Sequence, residues 1–150
     1  MYRNRSILFF LLAMVLSCGE EPYRNSIPFA QVNFLIDLNG PDYVLGNQLE
    51  YKILLENDRR RPEDRMGYAG LLVVAGAYGK LYAYDCCCPY EKSREIRVEP
   101  DSDGYAKCPR CGSLFVTIYG LGSPVRGPAT ESLQIYRVMP LQEGIFRIIN

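Results

Sequence analysis

The residues best able to do chemistry in this chain are its cysteines. Of the six cysteines in 150 residues, five fall in two short clusters, Cys86-Cys87-Cys88-Pro89-Tyr90 and Cys108-Pro109-Arg110-Cys111-Gly112-Ser113. Thiolates bind soft ions such as zinc and iron, and thiols pair as disulfides. The chain has no histidine, which excludes Ser-His-Asp and Cys-His hydrolases and imidazole metal ligands. The clusters therefore predict a thiolate metal site or a set of disulfides.

Each cysteine cluster follows an apolar, strand-like segment and contains the Pro or Gly of a tight turn. Such a turn lets two side chains converge on one ion and leaves backbone N–H groups free to donate to sulfur. The Cys108-x-x-Cys111 spacing is typical of one half of a metal site. The turn at Cys86–Tyr90, on a neighbouring predicted hairpin, would supply the other half.

The segments that must position these turns alternate or concentrate apolar residues with strand periodicity. Two predicted hairpins, 71–84 and 96–107, lead directly into the two cysteine clusters. No segment after residue 20 has a helical period, so we predict an all-β domain of about eight or nine strands in packed antiparallel sheets. The charged segment 57–64 is predicted to be a solvated loop. The other predicted strands are 32–38, 49–55, 114–119, 133–139 and 145–149.

The segment from about Leu71 to Ile149 resembles a Rieske [2Fe–2S] domain. That family's fingerprint is C-x-H, a spacer, and then C-x-x-H, often followed by G-S. Here Cys88-Pro89-Tyr90 and Cys108-Pro109-Arg110-Cys111-Gly112-Ser113 occupy the two motifs, separated by residues 91–107. Further along, Gly127-Pro128-Ala129, Leu133 and Tyr136-Arg137-Val138 are similar to the stretch that closes the family's cluster-binding subdomain. The resemblance implies Rieske-like antiparallel sheets with a cluster-binding subdomain formed by two hairpin turns.

The resemblance also suggests a ligand set. In the family two Cys hold one iron and two His hold the other; Cys88 and Cys108 match the Cys positions, while Tyr90 and Cys111 stand at the His positions. A phenol is a poor iron–sulfur ligand. In an extended segment Cys86 would lie on the same side as Cys88 and Cys87 would point away. The predicted metal ligands are therefore Cys86, Cys88, Cys108 and Cys111.

Three alternatives for the chemical state of these cysteines stay open. The first is a Cys-ligated [2Fe–2S] cluster, with a potential below that of a His-ligated one because thiolates add negative charge. The second is a structural zinc ion on the same thiolates. The third has no metal, the cysteines pairing as disulfides across the two turns. By family analogy, the leading hypothesis is an electron-transfer module that is not itself an enzyme, and the alternative is a degenerate Rieske fold that serves as an interaction or structural module.

The N-terminus has the features of an export signal. Arg3 and Arg5 precede ten uncharged, apolar residues (7–16), too few to span a bilayer. The sequence Val15-Leu16-Ser17-Cys18 resembles a bacterial lipobox, which predicts lipidation at Cys18. We therefore expect a signal peptide at 1–17, a lipidated tether at 18–28 and one β domain at 29–150.

Export and composition together limit the partners. The 17 basic and 17 acidic residues cancel. The chain therefore lacks the excess of basic residues that is typical of proteins that bind nucleic acid. The expected location is the periplasmic or cell-surface side of a bacterial membrane, held by the lipid on Cys18. The expected partner is an envelope protein or a redox partner, and no nucleic acid is expected.

Overall fold

The computed structural model describes residues 26–150, an all-β structure as the sequence predicts. The predicted signal peptide, Cys18 and most of the tether lie outside the described residues. Within residues 26–150 the only helical segments are three single 3-10 turns, and none is long or apolar enough to cross a bilayer. The eleven strands of this part exceed the eight or nine predicted; they are β1 (Val32–Asp37), β2 (Tyr51–Leu54), β3 (Arg65–Met66), β4 (Leu71–Ala75), β5 (Leu81–Asp85), β6 (Glu99–Pro100), β7 (Tyr105–Lys107), β8 (Leu114–Val116), β9 (Ser123–Arg126), β10 (Ile135–Gln142) and β11 (Ile145–Ile149). The 3-10 turns are Tyr43–Gly46, Glu56–Asp58 and Ala77–Gly79.

The larger sheet has seven strands in the order β2-β4-β5-β10-β11-β1-β3, and the pairings that build it are antiparallel. Strand β1 alternates as its sequence predicts, with Val32, Phe34 and Ile36 buried. Strand β4 is buried at every position because its two faces pack into different apolar clusters: Leu71 and Val73 enter one, and Leu72 and Val74 the other.

The smaller sheet has four antiparallel strands in the order β6-β7-β8-β9. Its inner face contributes Ala106 and Phe115 to the apolar cluster that also contains Cys86, Cys87, Cys88 and Cys108, and Val98, which precedes β6, joins the same cluster. The predicted hairpin 71–84 therefore belongs to one sheet and the hairpin 96–107 to the other. The cysteine turns lie where the cores of the two sheets meet.

The segment 57–64, predicted to be a solvated loop, is tied to the fold by ion pairs. Arg60 donates both terminal nitrogens to the buried Asp42, at 2.8 and 2.6 Å, and its guanidinium lies 5.0 Å from the centre of the Phe34 ring. The buried Asp64 accepts the backbone N–H groups of Arg60 and Arg61. Residues 57–60, 62 and 63 are exposed, which confirms the prediction of a solvated loop, and Asp64 is the one buried residue of the segment. The ion pair with Asp42 was not predicted, because Asp42 lies outside the segment in sequence.

Candidate metal centre

Three of the predicted ligands converge between the two sheets. The Sγ atoms of Cys88, Cys108 and Cys111 all lie within 4.8 Å of one another, and those of Cys88 and Cys111 are 3.7 Å apart. Cys88 and Cys108 are buried, and Cys111 is partly exposed. The group could hold a metal ion, with access from the side of Cys111.

Local hydrogen bonds fold each turn back on itself. In the first, the Lys92 N–H donates to the Cys88 carbonyl at 2.9 Å; in the second, the Gly112 N–H donates to the Cys108 carbonyl at 3.0 Å. Gly112 has a φ of 72°, which glycine adopts without the strain of a side chain. An ion pair between Glu91 and Arg110, at 3.6 Å, joins the two turns. The turns therefore present their cysteines toward each other.

The sulfur spacing suits a single tetrahedral ion. A zinc–sulfur bond of about 2.3 Å places two ligands of one tetrahedron about 3.8 Å apart, close to the 3.7 Å between Cys88 and Cys111. The S–S bond of a disulfide is about 2.05 Å long, so the sulfurs of Cys88 and Cys111 are close but not bonded. In a two-iron cluster, ligands on different irons lie farther apart than ligands on the same iron. The 3.7 Å between Cys88 and Cys111 therefore suits two thiolates on one tetrahedral metal ion, whether that ion stands alone or is one iron of a cluster.

The thiols of the site differ in acidity. Burial raises the pKa of Cys88 to about 12, although backbone hydrogen bonds from Glu91 and Tyr90 act in the opposite direction. Burial opposes ionisation of Cys111, but hydrogen bonds from Ser113, Cys108 and Cys88 together outweigh burial and lower the pKa of Cys111 below its ordinary value of 9.0. Donors aimed at sulfur stabilise the thiolate, the form that binds metal. Cys111 is thus prepared as a thiolate ligand.

Ser113 connects the site to the segment that follows β9. Its Oγ accepts the backbone N–H of Ala129 at 3.0 Å and lies 3.2 Å from the Cys111 Sγ. Because the Ser113 Oγ accepts the Ala129 N–H, the Ser113 hydroxyl can donate its own proton to a Cys111 thiolate. Gly127 permits this approach: a Cβ there would lie 2.5 Å from the Ser113 Cα, and its φ is 94°.

The fourth predicted ligand, Cys86, does not belong to the group of three. Strand β5 ends at Asp85, so the alternation assumed for an extended segment does not continue to Cys88. The buried Cys86 lies near Gly70, whose added Cβ would be 3.7 Å from the Cys86 Sγ. Cys87 is also outside the group, with its Sγ 3.5 Å from the Cys88 and Ser93 carbonyls. Tyr90 is 55% exposed.

Sequence reasoning did not identify Asp85 as a residue that positions the site. This buried carboxylate accepts the backbone N–H groups of Tyr68, Ala69 and Cys87 at 2.7 to 3.1 Å, and the Tyr136 hydroxyl at 2.7 Å. It therefore fixes the start of the first cysteine turn. An acidic residue at the end of an otherwise apolar strand was the signal in the sequence.

Comparisons with known proteins returned structural likeness only. No protein-family model matches the sequence, and no curated protein matches it. One similar chain is from the "Complex of reduced oxygenase and oxidized ferredoxin in carbazole 1,9a-dioxygenase", with a TM-score of 0.49, 17% identity, and coverage of 79% of this chain and 94% of that one. Another is a "putative NADH-dependent nitrite reductase small subunit" from Mycobacterium tuberculosis, with a TM-score of 0.46, 14% identity, and coverage of 80% and 96%.

Proposed function

We propose that this protein is a Rieske-like metal-binding module that transfers single electrons through an iron centre held by Cys88, Cys108 and Cys111. The observation that carries the proposal is the convergence of these three Sγ atoms within 4.8 Å from two separate turns. Partial exposure of Cys111 leaves one side of the centre open to an electron-transfer partner. We propose further that the chain carries electrons for a partner and is not an enzyme by itself.

The chain's own residues indicate how such a centre would be tuned. Cys88 and Cys108 occupy the positions that hold one iron of a [2Fe–2S] cluster in the family it resembles, and Cys111 stands in place of an imidazole. With Cys111 deprotonated on a metal, the Ser113 hydroxyl would donate to its sulfur, and the backbone around Cys88 donates to the Cys88 sulfur; such hydrogen bonds raise the potential of a thiolate-bound iron. The thiolate at Cys111 adds negative charge and thereby lowers the reduction potential. We expect a potential below that of a His-ligated cluster.

A second candidate is a structural zinc ion at the same three thiolates, in a domain without a redox role. The 3.7 Å spacing of Cys88 and Cys111 fits it, because this is the edge expected for a zinc–thiolate tetrahedron, although the spacing does not distinguish zinc from iron. Three protein ligands leave the fourth position to water or to a ligand from outside the three-cysteine group. In this form the metal would join the two turns and stabilise the domain.

Anaerobic purification followed by metal analysis separates the two candidates. The electron-transfer proposal predicts iron, a brown colour, and an EPR signal after reduction with dithionite if the centre is a [2Fe–2S] cluster. The zinc candidate predicts colourless protein with zinc bound and no redox signal. Metal-free protein whose site thiols react with iodoacetamide only after reductant is added would contradict both and would support a disulfide.

We further propose that the module is exported and anchored to a bacterial membrane through lipid on Cys18, where it serves an envelope partner. The sequence 15–18 and the apolar segment before it support this location. The full-length chain, expressed in a bacterium, should partition into the detergent phase and incorporate labelled palmitate. Cys18→Ser should abolish both, and a Cys18→Ser protein that keeps the label would overturn the anchor.

A further inference from the structure

A small cavity lies beside the segment that leads into β4. Its volume is about 120 Å³, and its wall includes residues 67–70 together with Arg94 and Arg97. A water molecule occupies about 30 Å³ of liquid, so the cavity has the size of a small polyatomic ion with some water. It shares no residue with the group formed by Cys88, Cys108 and Cys111.

Two guanidinium groups line this cavity without a carboxylate partner among residues 26–150. Arg97 donates its Nε–H to the Ala69 carbonyl at 2.6 Å, which holds the side chain in place and leaves its four terminal N–H groups. The guanidinium of Arg94 lies over the Tyr68 ring, 5.1 Å from its centre. Both positive groups are therefore positioned by protein contacts that do not neutralise them.

The acidic residues nearby are already engaged. Glu56, the one carboxylate in the cavity wall, accepts a hydrogen bond from Arg59 at 2.6 Å. Asp85 lies behind residues 68–69 and accepts their backbone N–H groups. The charge presented to the cavity by its own walls is therefore positive, and planar guanidinium groups suit carboxylate and phosphate oxygens.

We propose that Arg94 and Arg97 form a binding site for a single oxyanion, either a phosphate group or a carboxylate. Arg97 contributes a fixed pair of donors, and Arg94 closes over the ion from its stacked position on Tyr68. The ligand is a free anion or an acidic side chain of a partner protein, which share this chemistry. The site stands independently of the metal proposal, since none of its residues is a candidate metal ligand.

The test is a titration of the ¹⁵N-labelled protein with inorganic phosphate, monitored through the amide signals in NMR spectra. A titration with sodium chloride at equal ionic strength is the reference. We expect saturable shifts at the amides of residues 67–70 and a rise in Tm with phosphate, because a ligand that binds the native state stabilises it. Arg94→Gln and Arg97→Gln should each weaken phosphate binding about tenfold, as removal of a charge-assisted hydrogen bond does.

Arg126→Gln is the matched control, because it removes the same charge from an exposed position on β9 outside the cavity. It should bind phosphate as the wild type does. Arg94 makes no hydrogen bond within residues 26–150, so Arg94→Gln tests the site even where Arg97→Gln fails to fold. Shifts no larger than those with chloride, or equal phosphate affinity in the wild type and Arg94→Gln, would overturn the proposal. Saturable binding of acetate at the same amides would extend the ligand class to protein carboxylates, and binding of phosphate alone would restrict it.

Discussion

The Sγ atoms of Cys88 and Cys111 lie 3.7 Å apart although 23 positions separate them in the chain. Two turns bring them together, one after β5 in the seven-stranded sheet and one after β7 in the four-stranded sheet. Each turn is closed by its own backbone hydrogen bonds, and Glu91 and Arg110 pair across them. The centre therefore depends on how the two sheets pack, as well as on the cysteines themselves.

Cys108→Ser and Cys86→Ser should separate the ligand role from the packing role of the buried cysteines. We expect Cys108→Ser to lose the metal, because it removes one of the three converging sulfurs. Cys86→Ser should keep the metal but lower the free energy of unfolding by about 1–3 kcal/mol, because it buries a hydroxyl in an apolar cluster. Metal analysis and chemical denaturation of the anaerobically purified variants measure both effects.

Cys87→Ser is the neighbouring control for that pair and should also keep the metal, since its Sγ lies outside the group. Loss of metal in Cys86→Ser or Cys87→Ser, with the fold intact, would mean that the coordination sphere extends beyond the three sulfurs.

Ser113→Ala should make the Cys111 thiol less acidic. The substitution removes the hydrogen bonds of the Ser113 side chain, which lower the Cys111 pKa and satisfy the buried Ala129 N–H. In metal-free, reduced protein, alkylation of Cys111 should therefore require a higher pH, and the free energy of unfolding should fall by about 1–3 kcal/mol. Ser102→Ala, at an exposed turn position, should change neither quantity; an unchanged pH profile in Ser113→Ala would contradict the assigned hydrogen bond.

Asp85→Asn should destabilise the domain more than Tyr136→Phe does. Tyr136→Phe removes one of the hydrogen bonds to the Asp85 carboxylate, at a cost of about 1 kcal/mol. Asp85→Asn places an NH₂ group where three backbone N–H groups converge, so we expect a loss of about 3 kcal/mol or more and weaker metal binding through the displaced first turn. Denaturation and metal titration measure the two effects. Equal losses in both variants would argue against Asp85 as the residue that positions this turn.

Acid should destabilise the protein through Asp42. Burial opposes ionisation of this carboxylate, but hydrogen bonds from Arg60 and Lys52 outweigh burial and lower its pKa below the ordinary 3.8. A lowered native pKa means that the unfolded state binds the proton more readily, so the stability is present above pH 3.8 and is lost as the pH falls toward the native pKa. Asp42→Asn should cost about 2 kcal/mol at neutral pH and flatten this acid dependence.

The control for Asp42 is Glu95→Gln, which removes an exposed carboxylate that forms no salt bridge among residues 26–150. Denaturation midpoints between pH 2 and pH 7 should follow the wild type in Glu95→Gln and differ in Asp42→Asn. Parallel acid dependence in all three proteins would contradict the assignment to Asp42.

The strand periodicity in the sequence was sufficient to predict the all-β fold, because apolar alternation reports directly on which face of a strand is buried. The predicted strand 49–55 corresponds to Tyr51–Leu54, and both cysteine turns follow predicted hairpins. The short strand Glu99–Pro100 and the two residues of Arg65–Met66 carry too few side chains for a periodic signal. Their pairing is set by neighbouring strands that are distant in sequence.

The cysteine spacing predicted three of the converging thiols and placed the fourth at Cys86, which the structure leaves outside the group. That prediction assumed an extended backbone through Cys88. The chain instead leaves β5 at Asp85, where the carboxylate accepts the Cys87 N–H and redirects the backbone. The acidic residue at the end of an apolar strand was the only local sign of this network, because its partners Tyr68 and Tyr136 are distant in sequence. The ion pair of Asp42 with Arg60 was missed for the same reason.

X-ray absorption at the metal edge of anaerobically purified protein tests the central claim most directly, because it counts the sulfur atoms around a bound ion and measures their distances. The account predicts a metal with at least three sulfur neighbours at about 2.3 Å, and the loss of that metal in Cys108→Ser. A bound metal with only oxygen or nitrogen neighbours, or wild-type protein that binds no metal while Cys88, Cys108 and Cys111 are reduced, would contradict it.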